Sequence, residues 1–130
     1  MVTAATDPSD AFVADVFARD CTSRAALEAV AGKWGSLTLM ALAEQSYRFN
    51  ALRRRAAGVS EKMLSQTLHT LERDGMVSRA VLSTIPPRVE YSLTPLGTAV
   101  AERLRGLADL MESAVPAIEA ARVEYDRRHR

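Results

Sequence analysis

The residues best placed to do chemistry in this sequence are polar side chains repeated at helical spacing. If Leu64, Leu68 and Leu71 form the buried stripe of one helix, its opposite face presents Glu61, Lys62, Ser65, Gln66, His69 and Arg73, with Ser60 at the start. A glutamine amide pairs with both adenine edge groups, a lysine reaches guanine acceptors, and serine hydroxyls serve a base edge or a phosphate. The leading end of a reading helix enters the major groove, which assigns Ser60, Lys62, Ser65 and Gln66 to base edges and His69 and Arg73 to phosphates. The plainer alternative is a solvated helix face. Arg53, Arg54 and Arg55 are consecutive, so they fan about 100° apart and only one or two can turn to a phosphate. Arg53 and Arg54, with Arg48 just upstream, are the candidates. Arg88 follows Pro86-Pro87 and, projecting from a stiff hairpin tip, suits a minor groove; the alternative is a solvent-exposed loop arginine.

Cys21 is the single cysteine, which excludes an intrachain disulfide and a cysteine metal cluster. A thiol near a helix start has a lowered pKa, to which Arg19 and Arg24 would add and which Asp20 would oppose. Any sensing disulfide would join two subunits or a small thiol, and adduct formation with an electrophile is the other route. The alternative is a free, half-buried thiol of no consequence. There is no phosphate-binding glycine loop and no recognisable carboxylate pair, and His69 and His129 lack metal-ligand spacing. No catalysis, metal or cofactor is therefore expected.

The chain has 130 residues, 48% of them hydrophobic and 25% charged, which suits one globular domain with a single core. No stretch resembles a secretion signal or a membrane span, so a cytoplasmic location is expected. The net charge of +1 conceals an asymmetry. From Tyr47 to Tyr91 there are eight Arg/Lys against four acids, while the rest holds nine against twelve. A basic middle between acidic flanks fits a nucleic-acid-binding centre, or else a solvated basic face.

These side chains need elements to position them. Residues 1–9 read as a disordered lead-in. Asp10 can cap a short helix over 11–19 whose Phe12, Val13, Val16 and Phe17 form an apolar stripe in need of a partner. Thr22 or Ser23 caps a helix that loosens at Gly32, and a second helix starts near Trp34, a residue most simply placed in the core. Asn50 is a good N-cap for a helix that ends near Gly58; Ser60 caps the next, which runs to Gly75. Only Gly58 and Val59 precede the second cap, the connection length of a helix-turn-helix, here spanning about 50–75. The period then changes from 3.6 to 2. Met76–Thr84 and Val89–Leu93 read as the strands of a wing over about 76–93, joined by Ile85-Pro86-Pro87-Arg88. Thr94-Pro95 opens C-terminal helices over about 94–127, broken at Pro116. In them Leu96, Val100, Leu104, Leu107 and Met111 make a narrow apolar seam suited to a partner helix.

Five ordered motifs carry a family resemblance: Gly32-Lys33-Trp34, Arg48 to Arg54, Val59 to Leu68, Leu71 to Gly75, and Pro86 to Thr94. Over about residues 21–98 they closely resemble the HxlR-type winged-helix regulators. The resemblance implies an α+β, mainly helical fold, a winged helix-turn-helix with extra N- and C-terminal dimerisation helices. It also implies a homodimer that binds double-stranded DNA at a pseudo-palindromic operator as a transcriptional regulator, most simply a repressor. The helix at 11–19 (Phe12, Val16, Phe17) and the seam from Leu96 to Met111 would then be dimer surfaces. Several such relatives resemble sensors of oxidants, quinones or aldehydes that carry a cysteine where Cys21 stands, although Thr22 replaces the proline common after it. Two alternatives stay open: a repressor controlled by a small ligand in an apolar dimer-interface pocket, with Cys21 not involved, and a protein-interaction module that keeps the fold without binding DNA.

Overall fold

A computed structural model describes residues 14–130 of the chain. The elements follow in the order α1 (Thr22–Ala31), α2 (Lys33–Glu44), α3 (Phe49–Arg55), α4 (Glu61–Arg73), β1 (Val77–Thr84), β2 (Pro87–Leu93), α5 (Pro95–Ser113) and α6 (Val115–Arg128). Among the described residues, six helices and one two-stranded antiparallel sheet make a mainly helical winged fold.

The core gathers around α2, which packs against α1, α3, α4, α5 and β2. Leu39 and Leu42 of α2 meet Leu52 of α3, Leu64, Leu68 and Leu71 of α4, and Met76 and Val77 at the root of the wing. The stripe expected on α4 is the stripe that is buried, because residues three and four apart share a helix face. Two glycines act by lacking a side chain. A Cβ on Gly35 would stand 1.9 Å from the Ala29 carbonyl oxygen, and one on Gly97 would stand 2.0 Å from that of Met76. These close approaches seat α1 on α2 and α5 on the wing root.

Local chemistry fixes several boundaries as expected. The Ser60 hydroxyl accepts the Met63 N–H at 3.1 Å, and the Thr94 hydroxyl accepts that of Gly97 at 3.0 Å ahead of Pro95. Gly75 takes a left-handed φ of 77° where α4 turns into β1. Ala114 separates α5 from α6 just before Pro116.

Other expectations need correction. Residues 14–20 form turns rather than the end of a helix over 11–19, and Val16 and Phe17 are exposed; Phe12 and the lead-in at 1–9 lie outside the described residues. The N-cap of α1 is Cys21 rather than Thr22 or Ser23. That of α3 is Arg48, which makes no side-chain cap, so Asn50 sits inside the first turn. The start of α3 is set instead by a long-range bridge, in which Tyr47 and Tyr91 exchange backbone hydrogen bonds of 3.0 and 2.8 Å. α3 ends at Arg55 with Ala56 as its C-cap, two residues before Gly58, whose φ of 98° supplies the left-handed step inside the turn.

The seam on α5 divides in two. Its inward face is Gly97 and Ala101 with Leu104 and Val100 leaning on the core, small residues that hydrophobic periodicity undercounts. Leu96, Leu107 and Met111 remain exposed, joined by Leu110 and by Val115 at the start of α6, a helix with no buried residue.

Candidate nucleic-acid interface

The turn between α3 and α4 is built from its backbone outward. The Val59 N–H donates to the Ala56 carbonyl at 3.2 Å, while Arg53 Nε donates to the Val59 carbonyl at 3.1 Å. Val59 itself is buried, so the turn is pinned from inside by an aliphatic side chain and from outside by a guanidinium. The Trp34 indole lies beneath Gly58, 3.6 Å from where a Cβ would stand.

On this frame α4 presents one continuous polar surface. Ser60, Lys62, Ser65, Gln66, His69 and Arg73 are all exposed, and the Lys62 and Arg73 side chains make no ion pair among the described residues. The Ser60 hydroxyl is occupied as a cap acceptor, which leaves its proton free to donate outward. Glu61 lies in the first turn of α4, where the helix dipole favours a carboxylate.

The three consecutive arginines meet three different fates. Arg55 forms a two-pronged pair with Glu44 of α2, at 2.8 Å from Nε and 2.5 Å from Nη2. The guanidinium holds the Glu44 carboxyl below its ordinary range, and the carboxylate raises Arg55 in turn. Arg53 bridges the turn. Arg54 is exposed with no such engagement, and with Asn50, Arg53 and Ser60 it lines an open cleft of about 830 Å³. Arg48, at the head of α3, is likewise exposed.

Arg88 does not sit at the hairpin tip. It belongs to β2 and pairs with Ser83, next to a register shift between Val81 and Ser83. The tip is Ile85-Pro86, and Arg88 projects from the flank of the wing, exposed. The bulge behind this shift leaves no mark in the alternation of the strand residues. Lys33 stands close to the polar face of α4: its ammonium lies 4.6 Å from the Trp34 ring centroid, beside a cleft of about 310 Å³ that Gln66 and Thr70 also line. In the sequence it is one polar residue at a helix start, and only the packing of α2 on α4 brings it there.

Cys21 is half-buried at the N-terminus of α1. Its sulfur lies 3.1 Å from the Ser23 hydroxyl and accepts the Asp15 N–H at 3.3 Å. The Ser23 hydroxyl first, then the Asp15 and Ser23 amides, hold the thiol below its ordinary pKa. The amides of the helix start contribute as expected, whereas the Arg19 and Arg24 side chains do not. The Arg24 guanidinium is turned toward the Phe17 carbonyl and Glu28, at 3.4 Å from each.

Among the described residues, no group of three His, Cys, Asp or Glu stands together to hold a metal ion, and no helix is long and apolar enough to cross a membrane.

Known proteins share this arrangement. The family model for the HxlR-like helix-turn-helix matches residues 29–119. The uncharacterized HTH-type transcriptional regulator YtfH of Escherichia coli strain K12 is 49% identical over 110 residues, which cover 85% of this chain and 87% of that one. The structure of a transcriptional regulator ytfH from Salmonella typhimurium superposes with a TM-score of 0.79 at 46% identity, covering 85% of this chain and 98% of that one. The redox regulator HypR in its reduced form superposes with a TM-score of 0.69 at 32% identity, over 75% of this chain and 97% of that one.

Proposed function

The chain belongs to the HxlR-like helix-turn-helix family and is a transcriptional regulator with a winged helix-turn-helix; from that premise we propose that it is a homodimeric repressor of a pseudo-palindromic operator. The observation that carries this reading is the exposed row Ser60, Lys62, Ser65 and Gln66 at the leading end of α4, directly behind the pinned turn. Gln66 and Lys62 read base edges in the major groove, with Ser60 and Ser65 on base edge or phosphate. Arg48, Arg53, Arg54, His69 and Arg73 anchor the backbone, and Arg88 reaches along the adjacent groove from the side of the wing.

The second copy is supported by what one chain leaves uncovered. Leu96 at the start of α5, Leu107, Leu110 and Met111 in its last two turns and Val115 of α6 are exposed, and a 14-residue helix with no buried residue is marginal in water without a partner. A partner's α5 and α6 would cover this stripe and set two reading helices on one face of the duplex.

Release is assigned to Cys21. Its thiolate, favoured by the Ser23 and Asp15 hydrogen bonds, adds to the ring carbon of a quinone, whose oxygens take up the protons to give a hydroquinone thioether. With an oxidant such as hypochlorite it forms a disulfide to the partner subunit or to a small thiol. HypR is a redox regulator, which supports placing an oxidant upstream. A second reading, release by a small non-covalent ligand, draws on a groove of about 550 Å³ between α2, β2 and α5 lined by Leu42, Leu93, Ala101, Ser92 and Thr98.

The test begins with a duplex that the wild-type protein selects from a random-sequence pool. Its log affinity should fall with log salt by about 0.9 per phosphate contact, and a slope near zero sinks direct DNA binding. Gln66→Ala should cost about 1 to 3 kcal/mol on that duplex and relax one base preference. Quinone or hypochlorite should release wild type but not Cys21→Ser; equal release of both removes the thiol and leaves the groove. Sedimentation of the free protein as a monomer removes the dimer.

A further inference from the structure

We propose that Ile85 is an apolar wedge that the wing presses against a base step in the minor groove, giving the protein a means of reading DNA deformability where no polar side chain reaches; this rests on the DNA-binding reading above. At 90% exposure Ile85 is the most exposed large apolar side chain among the described residues. A single exposed aliphatic is ordinary on a protein surface, so the weight falls on its setting. Val81 and Leu82 of β1 are also about half exposed, so Ile85 stands at the end of a hairpin arm with further apolar surface open to a partner. The wing is rooted directly on the reading helix through Gly75, which fixes the tip relative to α4.

The charge and the backbone of the tip favour DNA over a protein strand as the surface that covers it. Residues 80–89 contain no Asp or Glu, and Arg88 stands exposed with no ion pair among the described residues. An apolar point flanked by a cation and free of anions matches a groove whose walls are phosphates and whose floor is stacked bases. Pro86 and Pro87 lack N–H groups, so this end of the hairpin cannot donate the hydrogen bonds with which a sheet edge recruits another strand. Side chains of this type wedge between base steps and kink the duplex by roughly 20 to 90°, most easily at flexible pyrimidine–purine steps.

The experiment uses the full chain and the duplex selected by wild type, with DNA bending read by circular-permutation gel shift and affinity by anisotropy. Ile85→Ala should lose about 20° or more of the bend and bind about 3- to 10-fold more weakly. Ile85→Leu should restore both. Arg88→Ala should reduce the salt slope by about 0.9 while keeping the bend. Because Ile85 is 90% exposed among the described residues, an unchanged melting curve for Ile85→Ala is expected. Wild-type bending and affinity in Ile85→Ala overturn the wedge and leave DNA binding standing. Failure of wild type to select any duplex brings down both readings. Wild-type bending by Ile85→Ala together with an altered sedimenting mass assigns this apolar surface to a protein contact and overturns the proposal.

Discussion

Replacing Gly97 by alanine sets two ordinary effects against each other. In a helix interior alanine is favoured over glycine by about 1 kcal/mol, and on propensity alone the variant should be more stable. The new Cβ, however, would stand 2.0 Å from the Met76 carbonyl oxygen, 3.0 Å from its carbon and 3.2 Å from Leu93 Cδ2. Two of these three atoms are backbone, so relief requires α5 to retreat by about 1 Å from the wing root. Overpacking of this kind costs about 1 to 3 kcal/mol. The retreat also stretches the hydrogen bonds from the Thr94 N–H to Met76 and from its hydroxyl to Gly75, now 3.1 and 2.6 Å, at about 1 kcal/mol for one lost. The net is a loss of about 1 to 3 kcal/mol, or roughly 4 to 12 °C in Tm for a chain of this size. Gly106 in the same helix is the control: nothing lies within 4 Å of its added Cβ, and its alanine variant should gain about 0.5 to 1 kcal/mol. Thermal and urea unfolding followed by circular dichroism, at one fixed protein concentration because the Tm of an associating chain depends on it, reads both. Shifts of the same sign in the two variants, or a Gly97→Ala protein as stable as wild type, would refute the close-approach argument.

Other outcomes follow from the same geometry. Ser60→Ala removes the cap of α4 and should cost about 1 kcal/mol in urea unfolding, with Ser60→Asp recovering most of it. Arg54→Ala should lower the salt slope of DNA binding by about 0.9, whereas Arg55→Ala, whose guanidinium is held by Glu44, should leave the slope unchanged. The Arg55 change should move stability by no more than about 1 kcal/mol, since the pair is exposed. The lowered Cys21 pKa predicts that alkylation by iodoacetamide persists to lower pH than for an ordinary thiol. Ser23→Ala should move the midpoint of the rate profile upward, and an unmoved midpoint would show that the hydroxyl does not hold the thiolate.

The parts of the fold legible in the sequence are those fixed by neighbours along the chain. Ser60 caps α4, Thr94 and Pro95 open α5, and the Leu64, Leu68 and Leu71 stripe is buried, because each depends on residues within one turn. What escaped depends on distant partners. Asn50 is the better capping residue, yet α3 starts two residues earlier because Tyr47 is already tied to Tyr91. Arg88 was expected at a tip and stands in a strand, because pairing across the hairpin runs on to Thr84 and Pro87 and leaves only Ile85-Pro86 as the loop. For the candidate interface, the outward face of α4 could be read from period alone. The division of labour among Arg53, Arg54 and Arg55 could not: it depends on Val59 and Glu44, six and eleven residues away from the arginines they engage.

Thr94 joins three elements through one oxygen. Its hydroxyl donates to the Gly75 carbonyl at 2.6 Å, where α4 becomes β1, and accepts the Gly97 N–H at 3.0 Å, where β2 becomes α5. The two feet of the wing are thus riveted at a single point to the trailing end of α4 and the leading end of the long C-terminal helix. A hairpin free at its base would dissipate a tilt of α5 by bending. With this rivet a tilt of α5 would carry the foot of the wing and the end of α4 with it, so in the proposed dimer the angle between two C-terminal helices would set the spacing between two α4 helices.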